Sequence, residues 1–342
     1  MRNENLSGIL FMAIIGLSGC VKNYVPQDLD SFNLESSYTQ TLFNPILGRN
    51  TLFSNIFLDN NNSAKPLTFK LVNVRTYDGL PAPELSAVFP VYVWNEQYTG
   101  NETSLAAIES KRTLENHPFL EIREHSGDML FWGSNEILAR SVKSMPDSGY
   151  KFDVQVGNSG GSKVIKDLRI QPYILREYEP NNADVISGYA SSDWLNPSSI
   201  TGIIGDSTQT LLNPSDVRIS IHKLSSQGSS LKFIFIDRNN KFIDPSKFNL
   251  TDWPNLLHGF NMQKTTTYVK YDVAYPIPLV ERRTQYTTTD GKYAHLDFSY
   301  SRLTAGGFRQ VSHLLFDFGI YTKGDWEIIV SFPKESPKFD ND

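Results

Sequence analysis

Residues 150–170 read Tyr150-Lys151-Phe152-Asp153-Val154-Gln155-Val156, then Gly157-Asn158-Ser159-Gly160-Gly161, then Ser162-Lys163-Val164-Ile165-Lys166-Asp167-Leu168-Arg169-Ile170. In the first arm apolar and polar side chains alternate, the period of a strand with one buried face. The glycine-rich centre turns the chain, so the stretch predicts a β-hairpin. The same period recurs outward along the chain. Val217, Ile219 and Ile221 alternate with Arg218, Ser220 and His222, and Leu231, Phe233 and Phe235 follow the same rule. Leu314-Phe316-Phe318-Ile320 and Trp326-Ile328-Val330-Phe332 extend it toward the C-terminus. Strands with one apolar face pack as antiparallel sheets, so the fold class expected is mostly β, with two antiparallel β-sandwich domains. Only Thr103–Glu115 has helical composition, and Pro118 ends it.

A chain of 342 residues exceeds what one core usually serves, which supports the count of two domains. Apolar periodicity lapses between about Arg176 and Asp216, where Asn, Ser, Gly and Pro crowd together. Residues 36–177 are therefore expected to form a first domain and 210–335 a second, with 178–209 a linker or a binding loop. The net charge of −5 lacks the broad basic field that nucleic acid or an anionic membrane would attract.

The chain has a single cysteine, so it cannot form an internal disulfide. Its position is informative. Ile9–Leu17 is an apolar run behind Arg2, about half the roughly 20 residues that a membrane-spanning helix needs, and it reads as the core of a signal peptide. Leu17-Ser18-Gly19-Cys20 closely resembles the bacterial lipobox, in which the peptidase cleaves before the cysteine and the thiol carries diacylglycerol. Residues 1–19 are thus expected to be removed, Cys20 to carry lipid, and residues 20–35 to tether the protein to a membrane that it touches through the lipid alone.

Motifs for catalysis are weak. The six histidines are scattered and show no metal-binding spacing, so no metal or cofactor is expected. Asp237-Arg238-Asn239-Asn240-Lys241 lacks the third acidic ligand and the glycine of a calcium loop and reads as a hairpin turn. Gly157-Asn158-Ser159-Gly160-Gly161 matches a nucleophile elbow by letter, but it lies between two strand patterns instead of at a strand-to-helix corner. Arg123-Glu124-His125-Ser126-Gly127-Asp128 likewise reads as a turn. No enzyme is expected.

What remains is an aromatic content of 12%, from 5 Trp, 16 Tyr and 21 Phe. Most of these rings fill cores. Trp253, between Asp252 and Pro254-Asn255, and Trp194, between Asp193 and Leu195, sit instead in polar, turn-like contexts. A flat ring beside amide and carboxylate groups can receive the C–H face of a sugar while its hydroxyls are hydrogen-bonded. Trp253, Trp194, Asp252 and Asn255 are therefore the candidate glycan-binding residues.

Several peptides carry a resemblance to a family. Leu47-Gly48-Arg49, Pro81-Ala82-Pro83-Glu84, Pro146-Asp147-Ser148-Gly149-Tyr150, His258-Gly259-Phe260-Asn261-Met262-Gln263-Lys264-Thr265 and Gly324-Asp325-Trp326-Glu327 resemble marks of an uncharacterised lipoprotein family of Bacteroidota, catalogued as a domain of unknown function. Such proteins resemble accessory lipoproteins of starch-utilisation-type polysaccharide uptake systems. The resemblance implies an immunoglobulin-like first domain, a place on the cell surface at the outer membrane, a glycan ligand and a TonB-dependent importer complex as partner. A rival expectation is a structural lipoprotein that docks an outer-membrane partner and binds no sugar. A groove with an exposed tryptophan favours the first, and a flat apolar patch favours the second.

Overall fold

The computed structural model describes residues 30–133 and 141–342. The expected signal peptide, residues 1–19, and Cys20 lie outside the described residues. No helix among the described residues is long and apolar enough to cross a membrane.

The chain is mostly β, arranged as several antiparallel sheets around two main cores. In the first half, a four-stranded sheet runs in the order Leu42–Phe43, Gly161–Ile170, Tyr150–Asn158, Thr68–Thr76. The opening hairpin forms with only Ser159 and Gly160 between its strands. Tyr150, Phe152, Val154 and Val156 are all buried, as their period requires. Against this sheet packs a three-stranded one of Thr51–Phe53, Met129–Phe131 and Leu120–Ile122. Phe43 joins the two, with ring centroids 6.1 Å from Phe152 and 6.3 Å from Phe131.

One residue breaks the alternation. Asp153 is expected on the outer face but is buried at a register shift shared by the neighbouring strands. Its carboxylate accepts from the Asn73 amide at 2.8 Å, the Asp167 N–H at 2.9 Å and the Arg75 guanidinium at 3.2 Å. Burial pushes this carboxyl up, but those donors outweigh it and hold it below the usual carboxylate range.

The predicted helix is much shorter than expected. It spans Leu105–Glu109, with the Ser104 hydroxyl capping it through the Ala107 N–H at 3.1 Å. Arg112–Pro118 then runs as a strand against Val88–Trp94, so a partner distant in sequence overrides local helical preference. A second short helix occupies Pro83–Ser86, with Pro83 in its first turn.

In the second half, a five-stranded sheet runs in the order Arg218–Ser225, Asp325–Ser331, Ser230–Ile236, Tyr268–Val273, Gly259–Lys264. It faces a long hairpin of Ala294–Leu303 and Arg309–Ile320. Phe233 of the first layer meets Phe298 of the second at 5.7 Å, and both rings are fully buried. Each such ring contributes roughly 1.5–3 kcal/mol of transfer free energy. Asp237–Lys241 is a turn, in which the Asp237 carboxylate accepts from the Asn239 and Lys241 N–H groups at 2.8 and 2.9 Å.

Residues 178–209 are built into this half. Tyr178–Glu179 and Ser199–Thr201 both pair with Arg309–Ile320. Leu195 and Ile203 belong to the second core, which therefore begins before residue 210. The halves meet through a smaller apolar cluster of Tyr98, Ile108, Ala274 and Leu279. Three polar contacts reinforce it. The Arg112 guanidinium donates to the Tyr275 carbonyl at 2.8 Å, and His258 bridges the Tyr98 hydroxyl and the Glu102 carbonyl.

Candidate functional site: a polar cleft beside the Asp59 turn

The local sequence Phe57-Leu58-Asp59-Asn60-Asn61-Asn62-Ser63 leaves a short strand and turns sharply. Asn60 and Asn61 both adopt left-handed backbone, with φ of 52° and 56°. Asparagine tolerates that region better than most residues, so the run of amides suits the turn. Asp59 is buried at its centre. Its carboxylate accepts from the Ser63 hydroxyl at 2.6 Å, the Ser63 N–H at 3.1 Å and the Lys65 ammonium at 3.3 Å. Burial raises this carboxyl, but the Ser63 and Lys65 donors outweigh it and hold it below the ordinary carboxylate range.

The second wall comes from Arg123–Asp128, which is a turn, as the sequence indicates. The Arg123 N–H donates to the Asp128 carbonyl at 2.8 Å, and the Gly127 N–H to the Arg123 carbonyl at 2.9 Å. Two bonds fix this turn beside the first. The Phe69 N–H donates to the Glu124 carbonyl at 2.8 Å, and the Tyr38 hydroxyl to the Gly127 carbonyl at 3.0 Å. Gly127 has φ of 74°, and a Cβ there would lie 2.6 Å from the Phe69 ring, so both space and backbone demand glycine.

Between the walls lies an open cleft of about 450 Å³, lined by Phe57, Leu58, Asn60, Asn61, Lys65 and His125. That volume falls within the roughly 300–1,000 Å³ of small-molecule sites. Among the described residues no hydrogen bond engages either the Asn60 or the Asn61 carboxamide, and both residues are exposed. His125 Nδ1 sits 3.2 Å from the Leu67 carbonyl, which can only accept. Nδ1 is therefore assigned the proton, and in the neutral ring Nε2 is left as an acceptor. The Phe57 ring, edge-on to Phe69 at 4.8 Å, and the exposed Leu58 side chain give the cleft an apolar floor.

The residues singled out from sequence lie elsewhere. Trp253 is a core residue, only 4% exposed. It opens a 3₁₀ turn over Trp253–Asn255, and its ring packs 5.9 Å from Phe298 and 6.1 Å from Phe235. A sugar platform needs an open ring face, which Trp253 does not present. Asp252 and Asn255 are exposed beside it and bond to each other at 3.0 Å. Trp194 is half exposed, with the Arg218 guanidinium 4.1 Å from its ring centroid. The two tryptophans are not brought together. Leu195 bridges to Ile219 on one edge strand, whereas the Tyr271 hydroxyl that binds the Trp253 carbonyl stands three strands across the sheet.

The cleft residues Asn60, Asn61, Lys65 and His125 were not singled out from sequence. The signal available was the Asp-Asn-Asn-Asn-Ser run, whose amides favour a tight left-handed turn. No group of three or more His, Cys, Asp or Glu among the described residues could hold a metal ion.

No curated protein and no solved structure matches the chain. A family model does match, over residues 58–341. That span includes the Asn60–Asn61 wall, the His125 wall, the second core and most of the first, and the chain accordingly belongs to the family described as Domain of unknown function (DUF5007).

Proposed function

We propose that this protein is a lipid-anchored, cell-surface glycan-binding accessory protein of a polysaccharide uptake system, held in the outer membrane by lipid on Cys20 and acting beside a TonB-dependent importer. The observation that carries the reading is the polar cleft. Two unengaged carboxamides, an ammonium and an imidazole acceptor stand over an apolar floor, the mixture that a sugar with a C–H face and a rim of hydroxyls requires. A few contacts worth about 0.5–1.5 kcal/mol each give millimolar to micromolar affinity, and many anchored copies raise avidity.

Affinity electrophoresis through gels containing single polysaccharides tests this. Retardation of the protein by at least one polysaccharide, lost in Asn60→Gly/Asn61→Gly, is the expected result, and free migration through every gel sinks it. Fractionation tests the anchor: Cys20→Ser should move the protein out of the membrane fraction.

A second reading has its own observation. The ribbon of Val88–Trp94 and Arg112–Pro118 exposes Val88, Tyr92 and Leu114, with Tyr92 and Leu114 directly paired. Such a face suits docking to an outer-membrane protein. Free migration in every gel, combined with co-purification of a membrane protein that Tyr92→Ser abolishes, would favour it.

A further inference from the structure

We infer that the cleft beside the Asp59 turn selects neutral sugars over acidic ones, with the Asn60 and Asn61 carboxamides as its specificity element. The inference rests on the glycan reading of the same cleft and narrows it to a substrate class. The charges at the cleft cancel internally. Lys65 is the one ammonium in its lining, and it is already paired with the buried Asp59 carboxylate at 3.3 Å. A uronate or sulfate would thus meet a neutralised cation with a fixed negative charge directly behind it. The carboxylate behind the other rim, Asp128, is also engaged, by the Ser126 hydroxyl at 2.8 Å and the Asn55 N–H at 2.9 Å.

The groups left over are those that read uncharged hydroxyls. Each carboxamide offers two N–H donors and a carbonyl acceptor, and the His125 ring, with its Nδ1 on the Leu67 carbonyl, presents Nε2 as a further polar atom. Neighbouring hydroxyls of a neutral hexose each donate and accept, which matches a pair of adjacent amides. The left-handed turn fixes where those amides stand, because both come from consecutive residues in the same unusual backbone region. Glycine accepts that backbone at least as well, so Asn→Gly deletes the amides and keeps the turn.

The test is calorimetric titration of the full chain with two panels: neutral oligosaccharides (malto-, cello- and manno-hexaose) and acidic ones (oligogalacturonate and a sulfated heparin fragment). At least one neutral hexaose should bind about tenfold or more tightly than either acidic probe. Asn60→Gly/Asn61→Gly should weaken it by about tenfold or more, since two or more hydrogen bonds are lost. An unchanged urea midpoint for that variant shows that the turn survives. Preferential binding of an acidic probe, abolished by the same variant, overturns the neutral selection while sustaining the glycan reading. Neutral binding untouched by the variant overturns the assignment to this cleft. Binding of neither panel overturns the inference together with the reading beneath it.

Discussion

Glu179 joins the two halves of the chain, and its replacement by glutamine gives a quantitative test of how they are held. Its strand residue pairs with Gly319 in the second half. Its carboxylate accepts from the Arg49 guanidinium of the first half at 3.0 Å and from Arg176 at 2.7 Å. All three side chains are only 12–13% exposed. Arg49 is further pinned over the Tyr321 ring at 3.5 Å, and the Nε atoms of both arginines already lack partners. The other acceptors of the two guanidiniums, the Arg176 and Ala183 carbonyls and Asn181, are all neutral, so Glu179 supplies the negative charge that both arginines contact.

Glutamine preserves shape but turns one acceptor oxygen into an NH₂ group facing a guanidinium. Two largely buried cations then keep only neutral acceptors, among them the glutamine oxygen, the Arg176 carbonyl at 3.3 Å from Arg49, and the Asn181 carboxamide at 2.5 Å from Arg176. Removing one partner of a buried ion pair costs about 3–5 kcal/mol, and Glu179→Gln should lose that much in urea unfolding. Asp167→Asn is the matched control. Asp167 also bonds an arginine, Arg75, at 2.7 Å, but its side chain is 67% exposed, and asparagine tolerates its left-handed backbone. That change should cost under about 1 kcal/mol. If Glu179→Gln costs no more than the control, the junction is not held by this cluster and the reasoning fails.

Two further predictions concern stability. Trp253→Ala should cost about 3–5 kcal/mol, as expected for a large ring packed against Phe235 and Phe298, while oligosaccharide binding by the remaining folded protein stays unchanged; loss of binding without loss of stability would restore its role as a platform. His117 bonds Glu121 at 2.8 Å and Glu115 at 3.2 Å, and its ring stacks on Trp132 at 4.4 Å. Burial lowers its pKa, but the two carboxylates outweigh that and raise it above the ordinary 6.5. Its stabilising contribution is therefore complete below about pH 6.5 and is lost as pH rises through the raised value. The urea midpoint should fall across that window, and His117→Gln should flatten the fall; an identical pH profile in the variant refutes it.

The strands were legible because burial itself has the period written in the residues. Phe152, Phe233, Phe316 and Ile328 are inside for the reason that their neighbours are polar. Thr113–Glu115 was not legible, since its strand state is decided by Val91–Val93, about twenty residues earlier, and no local pattern reports a partner. Trp253 misled for a different reason. In a 3₁₀ turn residues three apart eclipse, so Asp252 and Asn255 share the outer face and the ring between them is turned inward. Polar neighbours of a tryptophan therefore argue for exposure only where the backbone is extended. The cleft needed information that the linear chain does not hold. Its two walls lie more than sixty residues apart and are registered by the Phe69 N–H on the Glu124 carbonyl and the Tyr38 hydroxyl on the Gly127 carbonyl.

Those two bonds also give the proposed glycan site a fixed frame although it is built from turns. Turns placed independently would let the Asn60–Asn61 amides drift relative to His125 Nε2, and every hydrogen bond to a ligand would then first have to order its donor. Here Asp59, fastened by Ser63 and Lys65, holds one wall, and Gly127, pressed on the Phe69 ring, holds the other. Phe69 lies under both, through its contact with Phe57 and through its own N–H. Phe69→Leu should therefore weaken oligosaccharide binding more than its cost in stability accounts for, because it loosens the spacing between the walls that this ring lines and supports. Equal binding at saturating folded protein would show that the two walls act separately.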